Sequence, residues 1–346
     1  MSKRLLLVDG SSMLSTAYYG NLPKSVLFSK TAEEQIEHFK DILHTSDGLY
    51  TNGMYVMLKQ LFRLKEYLNP DYMVVAFDKS RNTFRRTELG AEFYKANRKP
   101  TPSPLSDQFI QIEDFLDDIG IKVVYDDNYE ADDLIASYAN KFAGNDVDII
   151  IHSKDHDFMQ MVGPHVKLLR PVSDSVIKKF KSVLTTDELN SCLITDCGKP
   201  MIMYDSYIVK KDTGVFPYQI ADLLAIAGDS GDGIPGCRGV SSAAPLLLDN
   251  YSDIDGIYNA IDTCVDVKSE KELAAFWKND LHISRSPLKA LKADRENVVL
   301  SKKLATMKRD IFILEGLNSL VPVINKNNLK NNLLRYEMSS LLYLCD

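Results

Sequence analysis

Short apolar stretches alternate with amphipathic stretches through the first half of the chain. Continuous aliphatic residues, as in a buried β-strand, occur at residues 3–9, 71–78, 121–125, 146–152 and 166–171. Such stretches indicate strands covered on both faces, as in parallel sheets. Between them apolar residues recur at helical spacing, for example at Met54, Met57, Leu58, Leu61, Leu64 and Leu68. The alternation predicts an α/β fold with a mostly parallel sheet.

Near residue 213 this alternation ends, and the remaining sequence is mostly helical in pattern. A glycine-rich stretch at residues 228–239 separates two helical stretches, and closely spaced glycines permit a tight turn whose amides can approach a phosphate. No chemistry can be assigned to residues 21–50 or 173–211. We expect an α/β domain at residues 1–172, an insertion of unknown role at 173–212, and a helical region at 213–346.

Acidic residues stand where the apolar stretches end or where a helical pattern begins. Each can have a local cause, because acids at a helix N-terminus cap the helix or complement its dipole by about 0.3–1 kcal/mol. In parallel sheets, however, the carboxyl ends of strands meet at one edge, so the repeated pattern gathers like charges there. At neutral pH a hard divalent cation such as Mg²⁺, Mn²⁺ or Ca²⁺ suits such oxygen ligands. The acids concerned are Asp9, Asp78, Glu130, Asp132, Asp133, Asp155 and Asp157.

The formal net charge of −7 argues against binding of nucleic acid by bulk charge alone. The charge is unevenly distributed, because residues 79–99 hold seven basic and two acidic residues, and residues 285–309 hold eight and two. Phe84, Phe93 and Tyr94 lie within the first basic segment. A solvated helix surface explains such a segment, and so does a surface that grips a nucleic-acid backbone and stacks on bases.

Neither a membrane nor an oxidising compartment is indicated. No apolar stretch reaches the ~20 residues that span a bilayer, and the first residues lead directly into a strand-like stretch. The five cysteines form no CxxC pair, so neither a disulfide framework nor a zinc site is predicted. We expect a cytoplasmic protein that does not associate with membranes.

Seven segments of the chain form a recognisable series. They are LLLVDG at 5–10, VVAFD at 74–78, FRR at 84–86, YKANRKPTP at 94–102, YEADDLIA at 129–136, SKDHDFMQ at 153–160 and GDSGDGIPG at 228–236. In this order they resemble the 5′-nuclease superfamily, which comprises the 5′→3′ exonuclease domain of bacterial DNA polymerase I, free-standing phage and bacterial relatives, and flap endonucleases. The resemblance covers residues 3–171 and 213–260. It implies a PIN-like (Rossmann-like) catalytic domain with a helical arch, followed by a helix-three-turn-helix element that binds duplex DNA.

The resemblance also implies roles for individual residues. Lys95 and Arg98 match the basic residues that reach the scissile phosphate from the arch. Two Mg²⁺ or Mn²⁺ ions ~4 Å apart would activate a water molecule and stabilise the leaving oxygen. The implied metal ligands are Asp9, Asp78, Glu130, Asp132, Asp133, Asp155, Asp157, Asp229 and Asp232. The implied DNA contacts are Arg81, Arg85, Arg86, Tyr94, Lys99, Gly236, Arg238 and Gly239.

The chain departs from the family pattern in the glycine-rich hairpin. Where the family continues GIGxKTA, this sequence reads Gly239-Val-Ser-Ser-Ala-Ala-Pro, without the lysine and the second glycine. Gly233 replaces the asparagine of the GDxxDNxPG segment. The duplex grip and the K⁺ site associated with this element are therefore open questions.

The sequence as a whole predicts a metal-dependent 5′→3′ exonuclease or 5′-flap endonuclease that acts in DNA replication or repair as a monomer. Its expected substrates are DNA with a 5′ end, flap or nick, and RNA-primed DNA is a further candidate. Two alternatives remain. A non-catalytic DNA-structure-binding protein would keep the basic segments but lose carboxylates. A phosphatase of the haloacid dehalogenase type would carry a second acid where this chain has Ser11.

Overall fold

A computed structural model describes residues 2–144 and 146–346. Its sheet has seven strands in the order β3-β2-β1-β4-β5-β7-β6. The first five strands pair in parallel, and β7 and β6 extend the β5 edge in antiparallel pairing. The mostly parallel α/β architecture predicted from the sequence is thus confirmed. The strands are β1 (Lys3–Asp9), β2 (Tyr72–Ala76), β3 (Lys122–Val124), β4 (Val147–His152), β5 (Val166–Pro171), β6 (Leu193–Ile194) and β7 (Met201–Tyr204).

Helices cover both faces of the sheet, as continuous aliphatic strands require. In β1, Leu5 and Leu7 pack into one core with α7, whereas Leu6 and Val8 pack into a second core with α1, α4 and α6. All four side chains are fully buried. The helices up to this point are α1 (Gly10–Tyr19), α2 (Lys24–Leu27), α3 (Ala32–Glu37), α4 (Asn52–Leu68), α5 (Phe84–Thr87), α6 (Ser103–Asp118) and α7 (Ala131–Phe142).

The connection between β2 and α6, which the resemblance predicts to be a helical arch, is mostly not helical. It holds only the four-residue α5 and a series of turns across residues 92–97. Gly90 and Lys95 have left-handed backbone conformations, and prolines at 100 and 102 prevent continuation of a helix. We call residues 79–102 the arch segment.

Residues 173–212, predicted to be an insertion, contribute to the sheet. Helices α8 and α9 precede the two antiparallel strands β6 and β7, and Phe180 of α8 stacks edge-on against Tyr204 of β7. The remaining helices are α8 (Asp174–Val183), α9 (Thr186–Cys192), α10 (Ser206–Thr213), α11 (Ile220–Ala227), α12 (Ala244–Tyr251), α13 (Ile254–Asp262), α14 (Val267–Asn279), α15 (Leu288–Ala293), α16 (Arg295–Ala305) and α17 (Lys326–Arg335). Short 3₁₀ helices occupy His38–Asp41, Asp157–Met161, Pro217–Gln219, Leu317–Leu320 and Ser339–Cys345.

The helical region beyond residue 213 and the C-terminal tail both pack on the α/β domain. Helices α11 and α12 flank the glycine-rich turns at residues 228–243, which gives the predicted helix–turns–helix arrangement. Helix α17 returns to α6, where Asn332 donates a 2.6 Å hydrogen bond to Asp118 and the rings of Tyr336 and Phe115 lie 5.9 Å apart. Among the helices of the described residues, none is long and apolar enough to cross a membrane.

Candidate metal centre and nucleic-acid interface

Acidic side chains converge at the carboxyl edge of the sheet because β1, β2 and β4 are parallel neighbours. Asp9 ends β1, Asp78 follows β2, and Asp155 and Asp157 follow β4. Helix α7 begins at the same edge, since the Ala131 amide donates a 2.9 Å hydrogen bond to Asp78 Oδ1. The parallel topology therefore gathers most of the predicted acids around one point.

Asp9 is held at the centre of this cluster. The Ser12 amide donates to Oδ1 at 2.8 Å, and the Ser153 hydroxyl donates to Oδ2 at 2.6 Å. Ser153 Oγ also accepts a 2.9 Å hydrogen bond from the Asp155 amide, so one hydroxyl links two strand ends. Burial, reinforced by the charges of Asp78 and Asp155, raises the pKa of Asp9 to about 7.

A second group of acids combines the α/β domain with the glycine-rich turn. Asp157, Asp229 and Asp232 each place a carboxylate oxygen within 4.8 Å of the other two. Asp157 Oδ1 is buried and has no hydrogen-bond partner among residues 2–144 and 146–346. Burial, with the nearby charges of Asp155, Asp232 and Asp229, raises the pKa of Asp157 to about 8. The His156 ring nitrogen Nε2 lies 3.4 Å from this oxygen. A buried carboxylate oxygen that accepts no hydrogen bond, among other carboxylates, fits a hard divalent cation.

These two raised pKa values predict how stability depends on pH without metal. Each carboxyl binds its proton more tightly when folded than when unfolded, so this contribution to stability is lost as pH rises through the folded-state pKa values of about 7 and 8. Buried His152, whose pKa is lowered to about 4, has the opposite effect, but only below its ordinary value of 6.5. In EDTA, we expect the melting temperature to fall from pH 6.5 to 8.5.

Two comparisons test whether ionisation of these acids causes the predicted fall in melting temperature. Asp157→Asn should flatten the pH dependence because asparagine carries no titrating proton, and saturating Mg²⁺ should flatten it in the unmodified protein because a cation replaces the protons. A melting temperature that is constant or rises over this pH range in EDTA would contradict the predicted repulsion among the acids.

Glu130 lies beside cations instead of among the other acids. Its Oε2 accepts hydrogen bonds from Lys95 Nζ at 2.8 Å and from the Tyr94 hydroxyl at 3.2 Å, and Arg85 Nη1 lies 3.4 Å away. Burial favours the protonated form of Glu130, but Lys95 and Arg85 outweigh it and lower the pKa of Glu130. Asp132, two residues later in the first turn of α7, lies near the other acids: burial and the charges of Asp9 and Asp155 raise its pKa.

The structure corrects the roles predicted for Asp133 and Arg85. Asp133 is completely buried, and both of its oxygens pair with Arg85, at 2.6 and 2.8 Å. Asp133 also accepts a 2.8 Å hydrogen bond from the Lys308 amide, and Arg85 Nε donates a 2.9 Å bond to the Leu304 carbonyl. Asp133 is therefore not available as a metal ligand, and Arg85 is not available to DNA. The pair joins the α/β domain to the end of α16 and to the segment that follows it.

A cavity of about 550 Å³ adjoins the acids, between the arch segment and helices α1 and α6. Its acidic floor includes Asp78 and Glu130, and its apolar wall is formed by Tyr19, Phe109 and Ile110. Tyr19 and Ile110 are exposed, and sequence reasoning assigned them no role. The spacing of Ser11, Ser15 and Tyr19 along one face of α1 was the available signal. The basic residues that line the cavity are Lys79, Arg81, Arg86, Lys95, Arg98 and Lys99.

Three of the predicted DNA contacts, Arg81, Arg86 and Lys99, are thus accessible from this cavity. Arg81 Nη2 donates to the Lys99 carbonyl at 2.8 Å, which folds the two ends of the arch segment together. Tyr94 is different, because it is 3 % exposed and its hydroxyl binds Glu130. The predicted contact of Tyr94 with DNA is therefore wrong for this structure.

The three predicted DNA contacts in the glycine-rich hairpin also include both buried and exposed residues. Gly236 is buried and its amide donates a 3.0 Å hydrogen bond to the Ser301 hydroxyl, so that amide is not free to bind a phosphate. The predicted DNA contact of Gly236 is wrong for this reason. Arg238 and Gly239 are exposed at the turn, and their predicted contact with DNA stays a prediction.

Comparisons with known families divide the chain into two regions. The family model described as "5'-3' exonuclease, N-terminal resolvase-like domain" matches residues 4–190. The one described as "5'-3' exonuclease, C-terminal SAM fold" matches residues 215–326. The first match includes the acids of the α/β domain and the arch segment, and the second includes Asp229 and Asp232.

Relatives cover most of the chain as well. A 5'-3' exonuclease of Aquifex aeolicus is 30% identical over 98% of this chain and 94% of its own length. A DNA polymerase I of Caldicellulosiruptor bescii is 29% identical over 98% of this chain, but the chain spans only 33% of that relative's length. A solved bacteriophage T5 flap endonuclease, in a complex with DNA and metal ions, superposes with a TM-score of 0.54 and 17% identity, covering 97% of this chain and 100% of that one. At this identity the likeness shows the fold.

Proposed function

Because the chain belongs to the 5′-3′ exonuclease family, we propose that it is a metal-dependent nuclease that hydrolyses DNA phosphodiester bonds at or near a 5′ end. The observation that carries the proposal is the position of Asp157. Its buried Oδ1 accepts no hydrogen bond and lies among the carboxylates of Asp229 and Asp232, and a cavity lined by basic residues adjoins the same acidic edge. An acidic centre that can hold divalent cations, beside a cavity lined by basic residues, suits phosphodiester hydrolysis.

The acids form two neighbouring groups that would hold Mg²⁺ or Mn²⁺ ions. The chemistry that bound divalent ions supply is activation of a water molecule and stabilisation of the leaving oxygen. One group consists of Asp157, Asp229 and Asp232, which share a 4.8 Å neighbourhood. The other consists of Asp9, Asp78, Asp132 and Asp155, whose mutual repulsion contributes to the raised pKa values of Asp9 and Asp132.

Lys95 and Arg98 neutralise charge on the phosphate that is cleaved. In this structure both are paired with acids, Lys95 with Glu130 at 2.8 Å and Arg98 with Asp232 at 2.5 Å. A phosphate that enters the cavity would take over these cations and release the carboxylates toward metal. Substrate binding and completion of the acidic centre are therefore coupled through the same two side chains.

The cavity suits an unpaired strand. Arg81, Arg86 and Lys99 line the cavity and would bind backbone phosphates, and Tyr19 and Ile110 would offer an apolar surface to bases. The T5 relative, a flap endonuclease in a complex with DNA and metal ions, supports a 5′-flap substrate. The polymerase relatives support a role in replication or repair, with RNA-primed DNA as a further substrate. We propose a cytoplasmic monomer.

A substrate panel tests this function. The purified protein is incubated with Mg²⁺ and 5′-labelled flap, nicked and blunt duplexes, and in parallel with a phosphomonoester. We expect short labelled products from the flap and the nick, none in EDTA, and no release of phosphate from the monoester. Binding of the flap without cleavage in Mg²⁺ or Mn²⁺ would indicate a DNA-structure-binding protein, and hydrolysis of the monoester alone would indicate a phosphatase.

A further inference from the structure

The turn at residues 229–234 forms a closed loop that contacts the arch segment. The Asp229 amide donates to the Ile234 carbonyl at 2.9 Å, and the Ile234 amide donates to the Asp229 carbonyl at 2.7 Å. Asp229 Oδ1 additionally accepts from the Gly231 amide at 2.8 Å. Two reciprocal backbone hydrogen bonds and a side-chain bond fix the shape of this loop, which carries two of the predicted metal ligands.

The arch segment packs directly against this Asp229–Ile234 loop. The Lys95 amide donates a 2.9 Å hydrogen bond to the Asp232 carbonyl, and Lys95 has a left-handed backbone with φ of 53°. The contact carries the two cationic side chains of the arch onto the acids, because Lys95 Nζ then lies 2.8 Å from Glu130 and 3.6 Å from Asp232.

Gly233 makes this close approach possible. A β-carbon added at this residue would lie 3.0 Å from the Phe93 carbonyl oxygen and 3.7 Å from the Lys95 amide nitrogen. Since the nearest atom belongs to the backbone of the arch, a side chain at 233 would push the arch segment away from the loop. The φ of 74° at Gly233 also favours glycine, although asparagine tolerates this region. In the related segment this position carries asparagine.

We propose that Gly233 is a positioning residue, whose missing side chain lets the arch segment dock on the Asp229–Ile234 loop and so presets Lys95 and Arg98 at the acidic centre. The docked arch and the loop then act as one unit before DNA binds. The effect on catalysis rests on the proposed nuclease function, whereas the docking contact itself does not. The rate effect of a side chain at 233 must pass through Lys95 and Arg98.

Hydrogen exchange tests the docking contact without reference to cleavage. In Gly233→Asn and Gly233→Ala, amide exchange within residues 93–98 should accelerate about tenfold, because displacement of the arch weakens the hydrogen bond from the Lys95 amide to the Asp232 carbonyl. Gly48→Ala is the matched control, since Gly48 has φ of 91° and no atom lies within 4 Å of its added β-carbon. Unchanged exchange of the arch in both Gly233 variants would overturn the proposal. So would a lower Mn²⁺ affinity with an unchanged arch, because the side chain would then act on the loop alone.

Single-turnover kinetics test the route through Lys95 and Arg98. We expect Gly233→Asn to lower the cleavage rate about tenfold while the dissociation constant for a 5′-flap changes less than about twofold. The triple variant Gly233→Asn/Lys95→Ala/Arg98→Ala should be no slower than Lys95→Ala/Arg98→Ala. Additive losses would overturn the positioning role. If the unmodified protein cleaves no substrate, the nuclease proposal fails, and the exchange experiment still decides whether Gly233 sets the arch.

Discussion

Replacing Asp157 by asparagine should abolish Mg²⁺-dependent cleavage of a 5′-flap while leaving the fold intact. The buried Oδ1 of Asp157 has no hydrogen-bond partner within the described chain and lies among carboxylates, so its loss removes a ligand from the centre. Metal ions contribute several kcal/mol to transition-state stabilisation in such reactions, so we expect the single-turnover rate to fall by at least about a hundredfold.

The melting temperature distinguishes loss of catalysis from loss of folding. Without metal, the asparagine removes a charge from a repulsive cluster, so Asp157→Asn should melt at a higher temperature than the unmodified protein at pH 8.5. Asp280→Asn, which neutralises an exposed acid after α14, is the control and should change neither the cleavage rate nor the melting temperature. Near-normal cleavage by Asp157→Asn at saturating Mg²⁺ would refute its role as a ligand.

Replacing Arg85 by alanine should destabilise the protein by about 3–5 kcal/mol, because it leaves Asp133 as a buried charge without its partner. The two side chains are 2% and 0% exposed, and Arg85 also binds the Leu304 carbonyl. The substitution therefore breaks a link between the α/β domain and the last turn of α16. Thermal or urea unfolding, monitored by circular dichroism, measures the loss.

The neighbouring residue provides the matched control. Arg86 is partly exposed and binds the Glu92 carbonyl, so Arg86→Ala should change stability little but weaken DNA binding. Removing both charges, as in Arg85→Met/Asp133→Leu, should recover much of the loss because no unpaired charge remains buried. Equal stability of Arg85→Ala and Arg86→Ala, with weaker DNA binding by the former, would restore the DNA-contacting role that the sequence suggested for Arg85.

The five parallel strands and most of the acidic centre could be predicted from the sequence. Each strand is marked by a local run of aliphatic residues, and the acids follow these runs at the same edge of the sheet. Continuous aliphatic residues identify a buried parallel strand, and the acid that follows each strand lies at the carboxyl edge of the sheet. Asp9 after β1, Asp78 after β2 and Asp155 after β4 needed no knowledge of the loops. The family resemblance added Asp229 and Asp232, which no strand pattern indicates.

The Arg85–Asp133 pair could not be predicted in this way. Charged residues in a basic segment or an acidic cluster are normally assigned to a surface or a site, and only tertiary contact shows that these two neutralise each other inside the protein. A partial signal existed, since Glu130 and Asp133 have the spacing of a capping box, which turns Asp133 back toward the Glu130 amide.

The conformation of the arch segment and the strands β6 and β7 also could not be predicted from local sequence. Whether basic residues 79–99 form a helix or a docked turn depends on the loop at Asp229–Ile234, which lies more than a hundred residues away in sequence. The strands β6 and β7 are two and four residues long, too short for a periodic pattern, and they are fixed by pairing with each other and with β5. Long-range packing therefore determines both the conformation of the arch segment and the formation of these two strands.

Anomalous diffraction from crystals grown with Mn²⁺ would test the acidic centre most directly. We predict an anomalous peak coordinated by Asp157, Asp229 and Asp232, a second bounded by Asp9, Asp78, Asp132 and Asp155, and no peak at the Arg85–Asp133 pair. Peaks absent from the carboxyl edge of the sheet at saturating Mn²⁺, or located only on exposed surface acids, would contradict the assignment of these carboxylates as a metal centre.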